Sequence, residues 1–132
     1  MSAVPDNVVY DSGALISLDD GRRRSPIDRH RRLLQLSHKI LVPTVVAAQV
    51  VRRPEAQARL MRALRGCDLI PFTAQHHLPV GRLLADSGTA DVGDAFVAVL
   101  AARTRAMVIS TDPGDISHLL NCLGVKLPVL AI

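Results

Sequence analysis

Five aspartates sit where an apolar segment begins or ends, and they carry the chemical interest of this 132-residue chain. Asp11 closes the run Val8-Val9-Tyr10, and Asp91 and Asp94 head the long apolar stretch Ala95 to Ala102. Asp112 and Asp115 follow Met107-Val108-Ile109-Ser110-Thr111 across a Pro113-Gly114 turn. Carboxylates brought together repel one another unless a proton or a cation compensates them. No His or Cys is clustered among these residues, so a site assembled from them would offer oxygen ligands alone. That donor set suits Mg²⁺ or Mn²⁺ rather than Zn²⁺. Each aspartate also has a plainer reading as a helix cap. Asp91 and Asp94 are three apart and suit an N-cap and an N3 carboxylate. Asp112 with Pro113 suits a helix start, and Asp11 suits a cap for the segment after it.

The elements that position these residues alternate in type. Strands are expected at Asn7 to Tyr10, Lys39 to Val42 (closed by Pro43), Asp68 to Pro71, Met107 to Ser110, and Val125 to Ile132, the last broken by Pro128 and so suited to an edge. Helical patterns are expected at Ala14 to Leu18, Asp28 to His38, Thr44 (as N-cap) to about Arg52, Glu55 to Arg65, Ala74 to Ala85, Asp91 to Arg103, and Asp115 to Leu123. Asp19 to Arg24 reads as a loop, and Gly66 as a helix end. Asp91 to Arg103 leaves almost no polar face and should be packed on nearly all sides. No two-residue hairpin turn joins neighbouring strands, so the pattern predicts a mainly parallel sheet with helices on both faces, in a single domain spanning 1–132. In such a sheet the strand C-termini share one edge, where ligands bind. Asp11 and Asp112 lie at that edge, and Asp94 opens the helix leading into the second of those strands.

Composition bounds the remaining possibilities. Hydrophobic residues at 48% with 21% charged describe a globular chain rather than a disordered one. No apolar run is long enough to cross a bilayer, and no basic segment followed by an apolar one opens the chain, which predicts a soluble, cytoplasmic protein. Cys67 and Cys122 lack metal-binding or disulfide spacing and read as small core residues. Of the 16 basic residues 14 are arginine, and Arg22, Arg23, Arg24, Arg29, Arg31 and Arg32 fall close together. The planar guanidinium donates bidentately to phosphate, so this run suits nucleic acid as well as it suits a solvated helix face. With aromatics at 2%, a base-stacking platform is excluded.

Val9-Tyr10-Asp11-Ser12-Gly13-Ala14-Leu15-Ile16, Val42-Pro43-Thr44-Val45-Val46-Ala47-Ala48-Gln49, Asp91-Val92-Gly93-Asp94-Ala95 and Ser110-Thr111-Asp112-Pro113-Gly114-Asp115 resemble, in order and spacing, the motifs of PIN-domain ribonucleases. Within that family the likeness is to VapC toxins of bacterial toxin–antitoxin pairs, and it covers nearly the whole chain. The resemblance implies a three-layer α/β/α PIN-like domain with a mainly parallel central sheet, acting as a metal-dependent endoribonuclease. It implies that Asp11, Asp94 and Asp112 hold Mg²⁺ or Mn²⁺, that Asp115 supports them, and that Asp91 joins the cluster or caps its helix. Thr111 and Ser12 would orient ligands or water, while Arg22, Arg23, Arg24, Arg29 and Arg32 would bind flanking phosphates of a tRNA or rRNA. A VapB-like antitoxin and a homodimer are further implications.

One residue departs from the family pattern. Gln49 stands where PIN domains usually carry Glu; it offers an oxygen but neither charge nor a base, and its plain reading is a buried amide bonded to backbone. Two alternatives therefore stay open. One is a PIN fold that binds RNA or antitoxin but cuts weakly. The other is a receiver-type signalling domain, which would need paired acids after the first strand, where this chain has Asp11 alone.

Overall fold

The computed structural model describes residues 5–132. Its sheet has five strands, all parallel, in the order β3-β2-β1-β4-β5. They are β1 (Asn7–Tyr10), β2 (Lys39–Pro43), β3 (Asp68–Ile70), β4 (Met107–Ser110) and β5 (Val129–Ala131). The helices are α1 (Ser12–Asp20), α2 (Ser25–Gln35), α3 (Thr44–Val50), α4 (Ala58–Arg65), α5 (Ala74–Ser87), α6 (Val92–Thr104) and α7 (Pro113–Cys122). The expected α/β/α architecture is the one observed.

The strand order explains where the helices go. From β1 the chain steps one way to β2 and β3, then crosses back to β4 and β5 on the other side of β1. Parallel crossovers are right-handed, so reversing the direction of travel moves the helices to the opposite face. The helix contacts divide accordingly: α1 meets α2, α3 and α4, whereas α5, α6 and α7 meet one another. Between β1 and β4 lies the point where the order reverses, and open α/β sheets bind ligands in the crevice there.

β1 and β4 are buried along almost their whole length, as central parallel strands must be. Helix α6 buries every residue from Ala95 to Ala101 and contacts β1, β2 and β4. Phe96 anchors it edge-on against Phe72, with ring centroids 5.1 Å apart. No helix among the described residues is long and apolar enough to cross a membrane.

Several boundaries differ from expectation. The first helix continues through Asp20 and ends on Gly21 in the left-handed region, where a missing Cβ costs nothing. The segment from Glu55 to Arg65 is not one helix but a 3₁₀ turn, Pro54–Ala56, followed by α4. Gln57 makes the break, its side chain accepting from the backbone of Arg52 and Arg53 and donating to Asp19 and the Val50 carbonyl. Thr44 is the first helical residue rather than the cap; Pro43 takes the cap position with no side-chain hydrogen bond. The last strand keeps only Val129–Ala131, on the edge, with Pro128 outside it. Cys122 is exposed and not a core residue, whereas Cys67 is half-buried and packed against the core.

Candidate active site

Asp11 follows β1 directly, and its backbone N–H donates to the Ile109 carbonyl at 3.3 Å, which sets it beside Ser110 on β4. Its side chain caps α1, accepting from the Ala14 N–H at 2.8 Å, so the capping role and a place at the sheet edge coincide. Only 4% of Asp11 is exposed. Burial pushes its pKa up, opposed by hydrogen bonds from the Ser110 hydroxyl and the Ala14 and Gly13 N–H groups. Ser110 is fully buried, and its Oγ also accepts from the Asp112 N–H at 2.8 Å. One hydroxyl thus joins the first strand's acid to the backbone carrying the second.

Asp91 caps α6, accepting from the Asp94 N–H at 3.0 Å. Asp94 lies in the first turn of that helix, half-buried. Its carboxyl is pushed up to about 6, by burial first and then by the charges of Asp91, Asp11, Asp115 and Asp112. The other four aspartates singled out in the sequence therefore all act on Asp94 at this edge. The Asp115 carboxyl is raised above its ordinary value, by hydrogen bonding to Asp112 and then by that residue's charge, while His118 pulls it down. His118 is itself held by donating from Nε2 to the Ser87 carbonyl at 2.9 Å.

Two glycines let these elements meet. A Cβ on Gly13 would overlap the Thr111 side chain, so Thr111 is laid directly over the first turn of α1, with Ser12 beside it. A Cβ on Gly93 would come within 3.0 Å of both amide atoms of Gln49 and 3.2 Å of Asp91 Oδ1. Gln49 consequently reaches the α6 N-terminus next to Asp91. It is exposed there, not the buried amide of its plain reading.

Among the described residues no three His, Cys, Asp or Glu side chains converge on a single ion position in the rotamers adopted. The chemistry of the set still matches a hard cation. The donors are all oxygen, burial and then the neighbouring carboxylates keep a proton on Asp94 at mildly acid pH, and Asp112 raises Asp115. A cation relieves the same repulsion that these protons relieve.

The arginine run does not form one stripe. Arg22 pairs with Asp20 at 2.7 Å, and Arg29 is half-buried against Tyr10 at the end of β1. Arg23, Arg24 and Arg31 line a cavity shared with α4, while Arg32 is exposed on α2. Sequence reasoning gave no role to Ser110, Gly13, Gly93 or His118. Ser110 had a signal, as the one polar residue in an apolar strand; the others acquire a role only through contacts with distant segments.

No protein-family profile matches the chain, and no curated protein matches it. Two solved structures are similar over nearly its whole length. One is VapBC2 from Rickettsia felis, in a crystal structure bound to a DNA fragment from their promoter; it matches with a TM-score of 0.73 and 17% identity over 96% of this chain and 98% of that one. The other is PAE2754 from Pyrobaculum aerophilum, with a TM-score of 0.59 and 14% identity over 93% of this chain and 98% of that one. The fold is accordingly the PIN-like, VapC-type fold.

Proposed function

We propose that this chain is a metal-dependent endoribonuclease, the toxin of a toxin–antitoxin pair. The observation that carries this reading is the placement of Asp11, Asp91, Asp94, Asp112 and Asp115 at the point where strand order reverses, where burial and then the charges of the other four raise the Asp94 pKa to about 6. Asp11, Asp94 and Asp112 would hold Mg²⁺ or Mn²⁺, with Asp115 and Asp91 beside them. When bound, the ion supplies positive charge and Lewis acidity for attack of water on a phosphodiester.

The chain's own groups do the positioning. Asp11 is held by Ser110 and the Ala14 N–H, so its oxygens are presented in a fixed direction. Asp94 gains from the α6 N-terminus, which favours a negative charge in the first turn. Thr111 and Ser12 bring hydroxyls to the mouth of the crevice, and Gln49 brings a neutral oxygen that cannot serve as a base. Arg22, Arg23, Arg24, Arg29 and Arg32 offer guanidinium donors to the phosphates of a tRNA or rRNA strand. A VapB-like antitoxin, a homodimer and a cytoplasmic setting complete the proposal; the likeness to a chain of a VapBC complex supports the antitoxin.

The test is cleavage of a mixed tRNA and rRNA pool by the purified, antitoxin-free chain with Mn²⁺, with EDTA, and with Asp94→Asn. Discrete fragments that vanish with EDTA and in the variant are expected. Fragments that persist with EDTA would overturn the metal-dependent reading. No cleavage under any condition would replace it with a PIN fold that binds but does not cut, and Gln49 would be the reason to examine first.

A further inference from the structure

A cavity of about 320 Å³ opens between α2 and α4, sharing no residue with the carboxylate edge. That volume lies within the range of pockets that take small molecules. Arg23, Arg24 and Arg31 line one wall and Arg59 and Arg62 the other, with Asp28 the one acid among them. Among the described residues, no carboxylate is within ion-pairing distance of any of these five guanidinium groups. Ile27 and Leu34 add an apolar patch to the same cavity.

The two walls are held in register. Gly21 has φ of 69° and no side chain, and a Cβ there would fall 2.5 Å from Cζ and Nε of Arg59. The Arg59 guanidinium thus lies against the bare backbone at the end of α1. Gln57 fastens the start of α4 to the same region through its 3.0 Å hydrogen bonds to Asp19 and to the Val50 carbonyl.

His30 adds a buried donor to the cavity lining. It is 4% exposed, its Nδ1 lies 2.8 Å from the Tyr10 hydroxyl, and its Nε2 has no hydrogen-bond partner. The Ala63 carbonyl is near enough to favour a proton on the ring but does not meet hydrogen-bond geometry. If Tyr10 donates to Nδ1, a single group is left unpaired, the Nε2–H. The other tautomer strands both the phenol hydrogen and the Nε2 lone pair, and each buried orphan is costly. The Nε2–H form therefore wins, and the donors the cavity presents are those of the five arginines.

Arginine donates and never accepts, so a cavity lined by five arginines against one acid is complementary to a ligand rich in acceptor oxygens. The geometry points to a site for a phosphorylated nucleotide, its phosphates held by Arg23, Arg24, Arg31, Arg59 and Arg62 and its ring laid over Ile27 and Leu34. The ligand is either a free nucleotide or one nucleotide unit of an RNA strand, which share this chemistry. The assignment holds whether or not the carboxylate edge is catalytic.

The test is calorimetric titration of the full chain in EDTA with ADP, pyrophosphate, adenosine, a 5′-phosphorylated 2′-O-methyl tetranucleotide and a glutamate-rich peptide. Arg31→Ala and Arg62→Ala replace exposed side chains and should leave circular dichroism and melting temperature unchanged. ADP or the tetranucleotide should bind at least about a hundredfold more tightly than adenosine, and each variant should weaken that binding by about tenfold, the value of one charge-assisted hydrogen bond. Binding of ADP identifies the free nucleotide as the source; binding of the tetranucleotide alone identifies the strand. Three results would overturn the assignment: no phosphorylated probe binding at roughly millimolar concentration, binding that both variants leave unchanged, or binding of the glutamate-rich peptide alone.

Discussion

Replacing Asp94 by Asn should stabilise the metal-free protein at neutral pH, although it removes a residue assigned to the metal. The folded chain holds the Asp94 proton up to about pH 6, against an ordinary value of 3.8. Because the folded pKa is the higher, stability from this group is complete below about pH 4 and is lost as the pH rises through about 6. The gap corresponds to about 3 kcal/mol at roughly 1.4 kcal/mol per pH unit. Asp94 is half-exposed, and water and salt screen its neighbours, so a realistic figure is about 1–1.5 kcal/mol. Asn keeps the shape and removes the charge. For a chain of this size that shifts the melting temperature by about 3–6 °C. Thermal unfolding in EDTA at pH 7.5 should therefore place Asp94→Asn above the wild type, while at pH 4 the two should nearly coincide. Adding Mn²⁺ at pH 7.5 should raise the wild type more than the variant and narrow or reverse the gap. An equal or lower melting temperature for Asp94→Asn in EDTA at pH 7.5 would refute the account of a site strained by its own charge.

Ser110→Ala should cost about 1 kcal/mol in chemical denaturation, since it removes the hydroxyl shared by Asp11 and the Asp112 N–H, and should lower RNA cleavage by about tenfold with KM little changed. Gly13→Ala drives a methyl group into Thr111, so denaturant titration should show a loss of about 1–3 kcal/mol, and cleavage should fall further than that loss explains. Gln49→Ala should reduce cleavage less than Asp94→Ala does, measured on the same RNA; equal loss would make Gln49 a full member of the site. Gln49→Glu adds a charge beside Asp91 and should tighten Mn²⁺ binding by about tenfold in calorimetry while lowering the melting temperature in EDTA.

Much of this molecule can be read from one-dimensional signals. Apolar runs with abrupt ends located β1, β2 and β4, because buried parallel strands are continuous apolar segments, while the more exposed β3 and β5 showed as short apolar runs beside Pro71 and Pro128. The absence of hairpin turns predicted the parallel sheet, and the aspartates stood out because charge at the end of an apolar run is uncommon. Boundaries were less legible. The break at Gln57 depends on hydrogen bonds to Asp19, Val50, Arg52 and Arg53, which no local pattern encodes.

The chain's own order therefore determined the fold class and which acids lie at strand ends, since periodicity and punctuation are local properties. The assembly of those acids into one cluster arises from the sheet order, which places β1 beside β4 across nearly a hundred residues and brings the α6 N-terminus to their ends. The same long-range placement moved Gln49 from an expected interior to the edge, put Thr111 over Gly13, and divided one arginine run between a salt bridge, a core-facing position and a cavity shared with α4. These are properties of distances between segments remote in sequence, and only packing sets them.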